Sequence, residues 1–123
     1  MQAKEFLKRT LELFELVTHP TLYDGQLVQV RGFSQLPEEH CCTLFPTRED
    51  RDAYNWRAGI KVLLQWAFPT DGDVMMIVGE NVTPSGRFPT GRVIVEGTFR
   101  ARLSNADMEP SGLEDVRRFE ASP

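Results

Sequence analysis

The chain has 123 residues, 41% of them hydrophobic and 26% charged, and a net charge of −4. That length suits one domain and leaves too little chain for two good cores. The acidic balance disfavours a protein that tracks phosphate by overall charge, and no apolar run approaches the roughly eighteen residues of a membrane span.

The acidic excess is local. Residues 104–123 hold Asp107, Glu109, Glu114, Asp115 and Glu120 against Arg117 and Arg118, whereas residues 25–103 hold nine acidic and nine basic side chains, with Lys61 the only lysine among them. The middle of the chain is therefore neutral and arginine-rich.

The N-terminal stretch carries Glu5, Glu12 and Glu15 and lacks the continuous apolar segment of a signal peptide, so a cytoplasmic location is expected. Phe6, Leu7, Leu11, Leu13, Phe14 and Val17 form an apolar stripe that predicts an amphipathic helix over 3–17, packed on a sheet. Thr18-His19-Pro20 stops it, since a residue before proline avoids the helical region.

Asp24-Gly25 is a turn signal. From Gln26 the chain alternates, with Val28 and Val30 on one face and Gln29 and Arg31 on the other, a half-buried strand. His40 to Phe45 is a further short strand, ended by Pro46. Residues 47–58 are charged and aperiodic and read as loop. Residues 59–66 alternate again, with Ile60, Val62, Leu64 and Trp66 on one face. Residues 73–78 suit either a strand or a turn of buried helix, and the glycines and prolines of 79–91 predict a loop.

Residues 92–103 give the clearest pattern. Val93, Val95, Gly97, Phe99, Ala101 and Leu103 share one face, and Arg92, Glu96, Thr98, Arg100 and Arg102 the other, with Ile94 out of place. In 112–120, Ser111 and Glu114 have capping-box spacing, but a strand there would close a barrel, and a strand is expected.

Cys41 and Cys42 are adjacent, so on a strand they point to opposite faces and suit neither a metal nor a disulfide. No metal or other cofactor is expected.

Val-x-Val-x-Gly occurs twice, at 28–32 and 93–97, each time opening a long strand after an x-Gly turn. Each glycine falls on the core face, where the missing side chain admits a crossing strand or a bulge. Small barrels need such corners. Helix, long strand, short strand, strand, irregular segment, long strand and terminal strand give a mainly β chain, a single domain over 1–123 with the helix in 1–19 and the barrel in 22–120. This order resembles the OB-fold, a five-stranded Greek-key barrel. More narrowly, Tyr23-Asp24-Gly25-Gln26-Leu27-Val28-Gln29-Val30-Arg31-Gly32 and the later Val93 to Phe99 look like the opening and fourth strands of small bacterial OB-like domains of unknown function. That resemblance covers about residues 20–120. The usual helix between the third and fourth strands has no clear counterpart in 67–91, and the resemblance supplies no catalytic residue.

Three function classes bear on such a chain. His19 and His40 are the only imidazoles, and no nucleophile–base, P-loop or zinc motif appears, so an enzyme is not expected. Single-stranded nucleic acid would use Arg31, Phe33, Arg100 and Arg102 on the outward faces with Arg48, Arg51, Tyr54 and Trp56 of the 46–58 loop. The interleaved Glu49, Asp50, Asp52 and Glu96 favour cross-strand ion pairs instead. The preferred reading is a non-enzymatic module that binds a protein partner through the same residues, because arginine, tyrosine and tryptophan are enriched at interface hot spots. Trp56 either joins that surface or folds back over the barrel mouth.

Overall fold

The computed structural model describes residues 10–34, 42–67, 75–84, 90–101 and 111–122. Its elements in chain order are β1 (Thr10–Glu12), α1 (Leu13–Thr18), α2 (Pro20–Tyr23), β2 (Leu27–Ser34), β3 (Thr43–Phe45), α3 (Arg48–Asp52), a 3-10 turn at Trp56–Ala58, β4 (Ile60–Val62), β5 (Gln65–Ala67), β6 (Met75–Val78), β7 (Asn81–Pro84), β8 (Gly91–Arg100) and β9 (Gly112–Ala121).

Strands β2, β3, β4, β9 and β8 pair in that cyclic order, and β8 returns to β2, so the sheet closes. Only the β4–β9 pair is parallel within the closed set. This is a small five-stranded OB-like Greek-key barrel. Between the third and fourth barrel strands the described residues form a three-stranded antiparallel sheet, β5–β6–β7, and no helix.

The alternation in β2 and β8 explains the closure. Val28, Val30, Val93, Val95 and Phe99 point inward and are buried, joined by Leu44, Ile60, Val62, Leu113 and Phe119. Burying each such side chain contributes about 1.5–3 kcal/mol. Leu11, Leu13, Leu16 and Tyr23 from the N-terminal elements extend the same core.

The two Val-x-Val-x-Gly stretches pair with each other. β2 and β8 run antiparallel with Val28 opposite Gly97, Val30 opposite Val95 and Gly32 opposite Val93. Each glycine stands where the next strand crosses. A Cβ on Gly32 would lie 2.7 Å from Leu44 Cγ and 3.0 Å from the Phe45 carbonyl oxygen of β3. A Cβ on Gly97 would lie 2.9 Å from the Glu114 carbonyl oxygen and 3.4 Å from Val116 Cα of β9. The irregularity beside Gly97 sits on β9. Glu96 pairs with Arg118 and Thr98 with Glu114, so β9 carries the extra residues there. Asp115 takes φ 52° in that bulge, a conformation Asp tolerates better than most residues.

Several expectations are corrected. Thr10–Glu12 is not helical: it pairs in parallel with Gln29–Arg31, and Gln29 Nε2 donates to the Thr10 hydroxyl at 2.7 Å. Tertiary pairing overrides the helical stripe there, and among the described residues of the expected helix only those within Leu13–Thr18 are helical. The rest of the expected helix, 3–9, lies outside the described residues. Residues 47–58 are not all loop. Thr47 caps α3, its hydroxyl accepting from the Asp50 N–H at 3.0 Å. The strand expected over 59–66 divides at Leu63–Leu64 into β4 of the barrel and β5 of the small sheet. Residues 75–78 are strand. Asn81–Pro84 is strand rather than loop, paired with β6 through a two-residue turn in which Gly79 has φ 60°. As expected, residues 112–121 form a strand, and Cys42 is buried.

Candidate functional site

The predicted binding residues fall into three places. Arg31 lies on the outer face of β2, where its Nη1 donates to Glu12 Oε1 at 3.1 Å and its Nε to the Ser122 hydroxyl at 3.0 Å. Arg92 approaches the same Glu12 carboxylate at 3.8 Å. Arg100, at the far end of β8, donates to Glu114. That hydrogen bond, and then the carboxylate's charge, hold the guanidinium above its usual value. Arg118 is raised in the same way by Glu120, at 2.8 Å. The outer sheet face is thus a set of ion pairs at least partly open to solvent.

Phe33, Arg48, Arg51 and Tyr54 collect at the other end of β8. Phe33 is half-buried on the outer face of β2, opposite Phe45 on β3 and Arg92 on β8. Phe45 is fully buried but outside the barrel core, because it shares Phe33's outward direction and is covered by the 46–58 segment. The Tyr54 ring meets it edge-on, with centroids 6.0 Å apart and planes at 61°. The Arg48 guanidinium carbon lies 5.8 Å from the Phe33 ring centroid. Arg51 donates twice to Asp52 and reaches towards Gly91.

The local fold explains why Tyr54 projects. The Asn55 N–H donates to the Asp50 carbonyl at 2.8 Å and the Tyr54 N–H to Arg51 at 3.1 Å, which is a Schellman ending for α3. Tyr54 fills the left-handed position of that motif, with φ 51°, where glycine is the usual occupant. The residue remains 46% exposed. The strain lies in the backbone, at a residue that carries an exposed aromatic side chain where glycine would relieve it.

Trp56 opens the 3-10 turn with its backbone, and its side chain is outside the described part. Arg102 lies outside the described residues. Sequence reasoning missed the capping spacing Thr47-x-x-Asp50, which signals α3, and it missed Glu12 as the anion serving Arg31 and Arg92. It also missed a groove of about 480 Å³ lined by Leu63, Leu64, Ile77, Val116 and the oppositely charged Asp115 and Arg117. That groove arises from the β9 bulge, which leaves no periodic signal.

Comparison of the chain with protein-family models, curated proteins and solved structures finds no match.

Proposed function

We propose that the protein is a non-enzymatic binding module that engages a protein partner through the surface formed by Arg48, Arg51 and Tyr54 over the Phe33–Phe45 pair. The observation that carries the reading is Tyr54, a half-exposed aromatic ring on a left-handed backbone. Beside it, Arg48 packs on an aromatic face and meets no carboxylate among the described residues. Arginine over an aromatic ring next to an exposed tyrosine has the composition of an interface hot spot. The kinship with small bacterial OB-like domains and the cytoplasmic location belong to the same proposal.

Single-stranded nucleic acid draws less support. Arg31, Arg100 and Arg118 are each matched by a glutamate. The paired strands β3 and β4 present Thr43 opposite Lys61 and no described aromatic besides the buried Phe45, whereas stacking platforms need exposed rings.

The test places a photoreactive phenylalanine analogue at position 54 in the full chain and irradiates it in extract of the native host. The expected result is one saturable protein adduct, competed by unlabelled protein and lost on Arg48→Glu. No adduct would remove this surface. Salt-sensitive binding of labelled oligo-dT that disappears in the Arg48→Glu/Arg51→Glu pair would replace the protein partner with nucleic acid.

A further inference from the structure

Strand β2 has two edges. β8 takes one of them from Leu27 to Ser34. On the other, β3 reaches only Phe33 and Ser34, and β1 takes Gln29 to Arg31. Without β1 that stretch would be an open strand edge, a template for another chain. The contact is short. β1 has three residues and runs parallel to β2, the weaker pairing per residue.

What the edge accepts can be read from β1 itself. The Thr10 hydroxyl takes a hydrogen bond from Gln29, and Leu11 enters the core. The Glu12 carboxylate meets Arg31 of β2 at 3.1 Å and Arg92 of β8 at 3.8 Å. α1 adds Leu13 and Leu16 to the same core. Residues 10–18 are therefore a strap, anchored by three leucines and one carboxylate of complementary charge. It joins the rest of the chain at His19, which divides α1 from α2 and is neither helical nor extended, with φ −128° and ψ 59°.

Two observations name a partner for this edge. The segment that fits it is the chain's own, so a second copy offers the same segment in identical form. In addition, the most exposed large hydrophobic residues among those described, Phe14 at 67% and Leu22 at 57%, stand on either side of His19. When two molecules trade an end segment, the contacts of the closed form are kept, and the connecting residues, which cross between the molecules, find new neighbours. Phe14 and Leu22 flank that connection, so the exchange brings them apolar surface that a single molecule leaves in water.

We propose that residues 10–18 are an exchangeable strap whose partner is a second copy of this chain. Two molecules trade β1 and α1 across their His19 junctions, each laying its Glu12 on Arg31 and Arg92 of the other. This does not rest on the Tyr54 surface.

The test uses two full-length variants, Glu12→Arg and Arg31→Glu, each of which sets like charges between its own strap and its own barrel. Unfolded in urea, mixed and refolded together at high concentration, they match opposite charges at both straps only by trading them. Native mass spectrometry should show the mixed dimer outnumbering either homodimer by about tenfold. Phe14→Ser with Leu22→Ser in both chains should lower the dimer yield. Glu12 is exposed and Arg31 partly so, and methyl spectra of each variant report that it is folded. In the parent chain, refolded from equal parts of labelled and unlabelled protein, isotope-filtered NOEs should join Leu11 of one molecule to Val30 of the other, the residue it pairs with. The proposal is overturned by a parent chain that stays monomeric at millimolar concentration, by mixed dimers at no more than their statistical share, by dimers in which the Leu11–Val30 contact stays within one molecule, or by indifference to the two serines.

Discussion

Val30 lies directly opposite Val95, at the midpoint of a ladder in which one five-residue pattern pairs with its own copy running the other way. The arrangement has local two-fold character. Both glycines are therefore carried to opposite ends of the ladder on the inner face, and each meets the strand that crosses there. A slip of one residue would turn Val28, Val30, Val93 and Val95 out to solvent, so the register is strongly specified.

Adding a methyl at either crossing should destabilise the barrel. In Gly97→Ala the new Cβ meets a backbone carbonyl oxygen at 2.9 Å, which has little freedom to retreat. In Gly32→Ala it meets the buried Leu44 at 2.7 Å. Each substitution is expected to cost about 1–3 kcal/mol by urea unfolding. A loss below about 0.5 kcal/mol, the scale of ordinary surface changes, would contradict the close crossing.

The bulge residue Asp115 gives a backbone test. At φ 52° a β-branched side chain is a severe misfit, so Asp115→Val should lose about 1–2 kcal/mol. Asp115→Gly and Asp115→Asn should stay close to the parent. Equal losses for valine and glycine would mean that the carboxylate, not the backbone, is what matters there.

Tyr54 separates strain from contact. Both Tyr54→Ala and Tyr54→Gly lose the ring on Phe45, but only glycine relieves the left-handed backbone. The glycine variant should be the more stable of the two by about 1 kcal/mol, while neither should compete with the photoreactive chain for its partner adduct. Beneath it, Phe45→Ala should cost about 3–5 kcal/mol, since Phe45 is fully buried.

The Arg100–Glu114 pair should be invisible to alkaline titration. The folded guanidinium value is raised, by the Glu114 hydrogen bond first and its charge second. A raised value contributes stability that is fully present below the unfolded value and is lost only as pH climbs through the folded one. Both lie far above neutral pH, so this pair should add no slope to the urea midpoint between about pH 7 and 10. Because the pair is exposed, Arg100→Met should leave the midpoint nearly unchanged. A steep loss would show a buried role that the geometry lacks.

The barrel was legible because Val28, Val30, Val93, Val95 and Phe99 alternate over long strands, and a two-residue period has one interpretation when one face is buried. The N-terminal stripe misled at Thr10–Glu12 because Leu11 and Leu13 fit a helical face and an extended pairing equally well, and Gln29–Arg31 decided the matter. The division at Leu63–Leu64 was hidden for a related reason: Ile60, Val62 and Leu64 remain buried in step while the chain changes sheets. Of the site, the outward directions of Arg31, Phe33 and Arg100 could be read from strand phase. Their partners could not, because Glu12 and Glu114 are distant in sequence from the arginines they meet. The left-handed Tyr54 and the bulged Asp115 are backbone facts without a residue-type signature.

A ribbon complementary to a reversed copy of itself is also complementary to the same ribbon in a neighbouring molecule. While the barrel is open, residues 28–32 of two chains can zip together as readily as 28–32 and 93–97 of one. Refolding yield should therefore fall as protein concentration rises, and the crossing strands that seat on Gly32 and Gly97 act as the safeguard that removes both ribbons from intermolecular traffic.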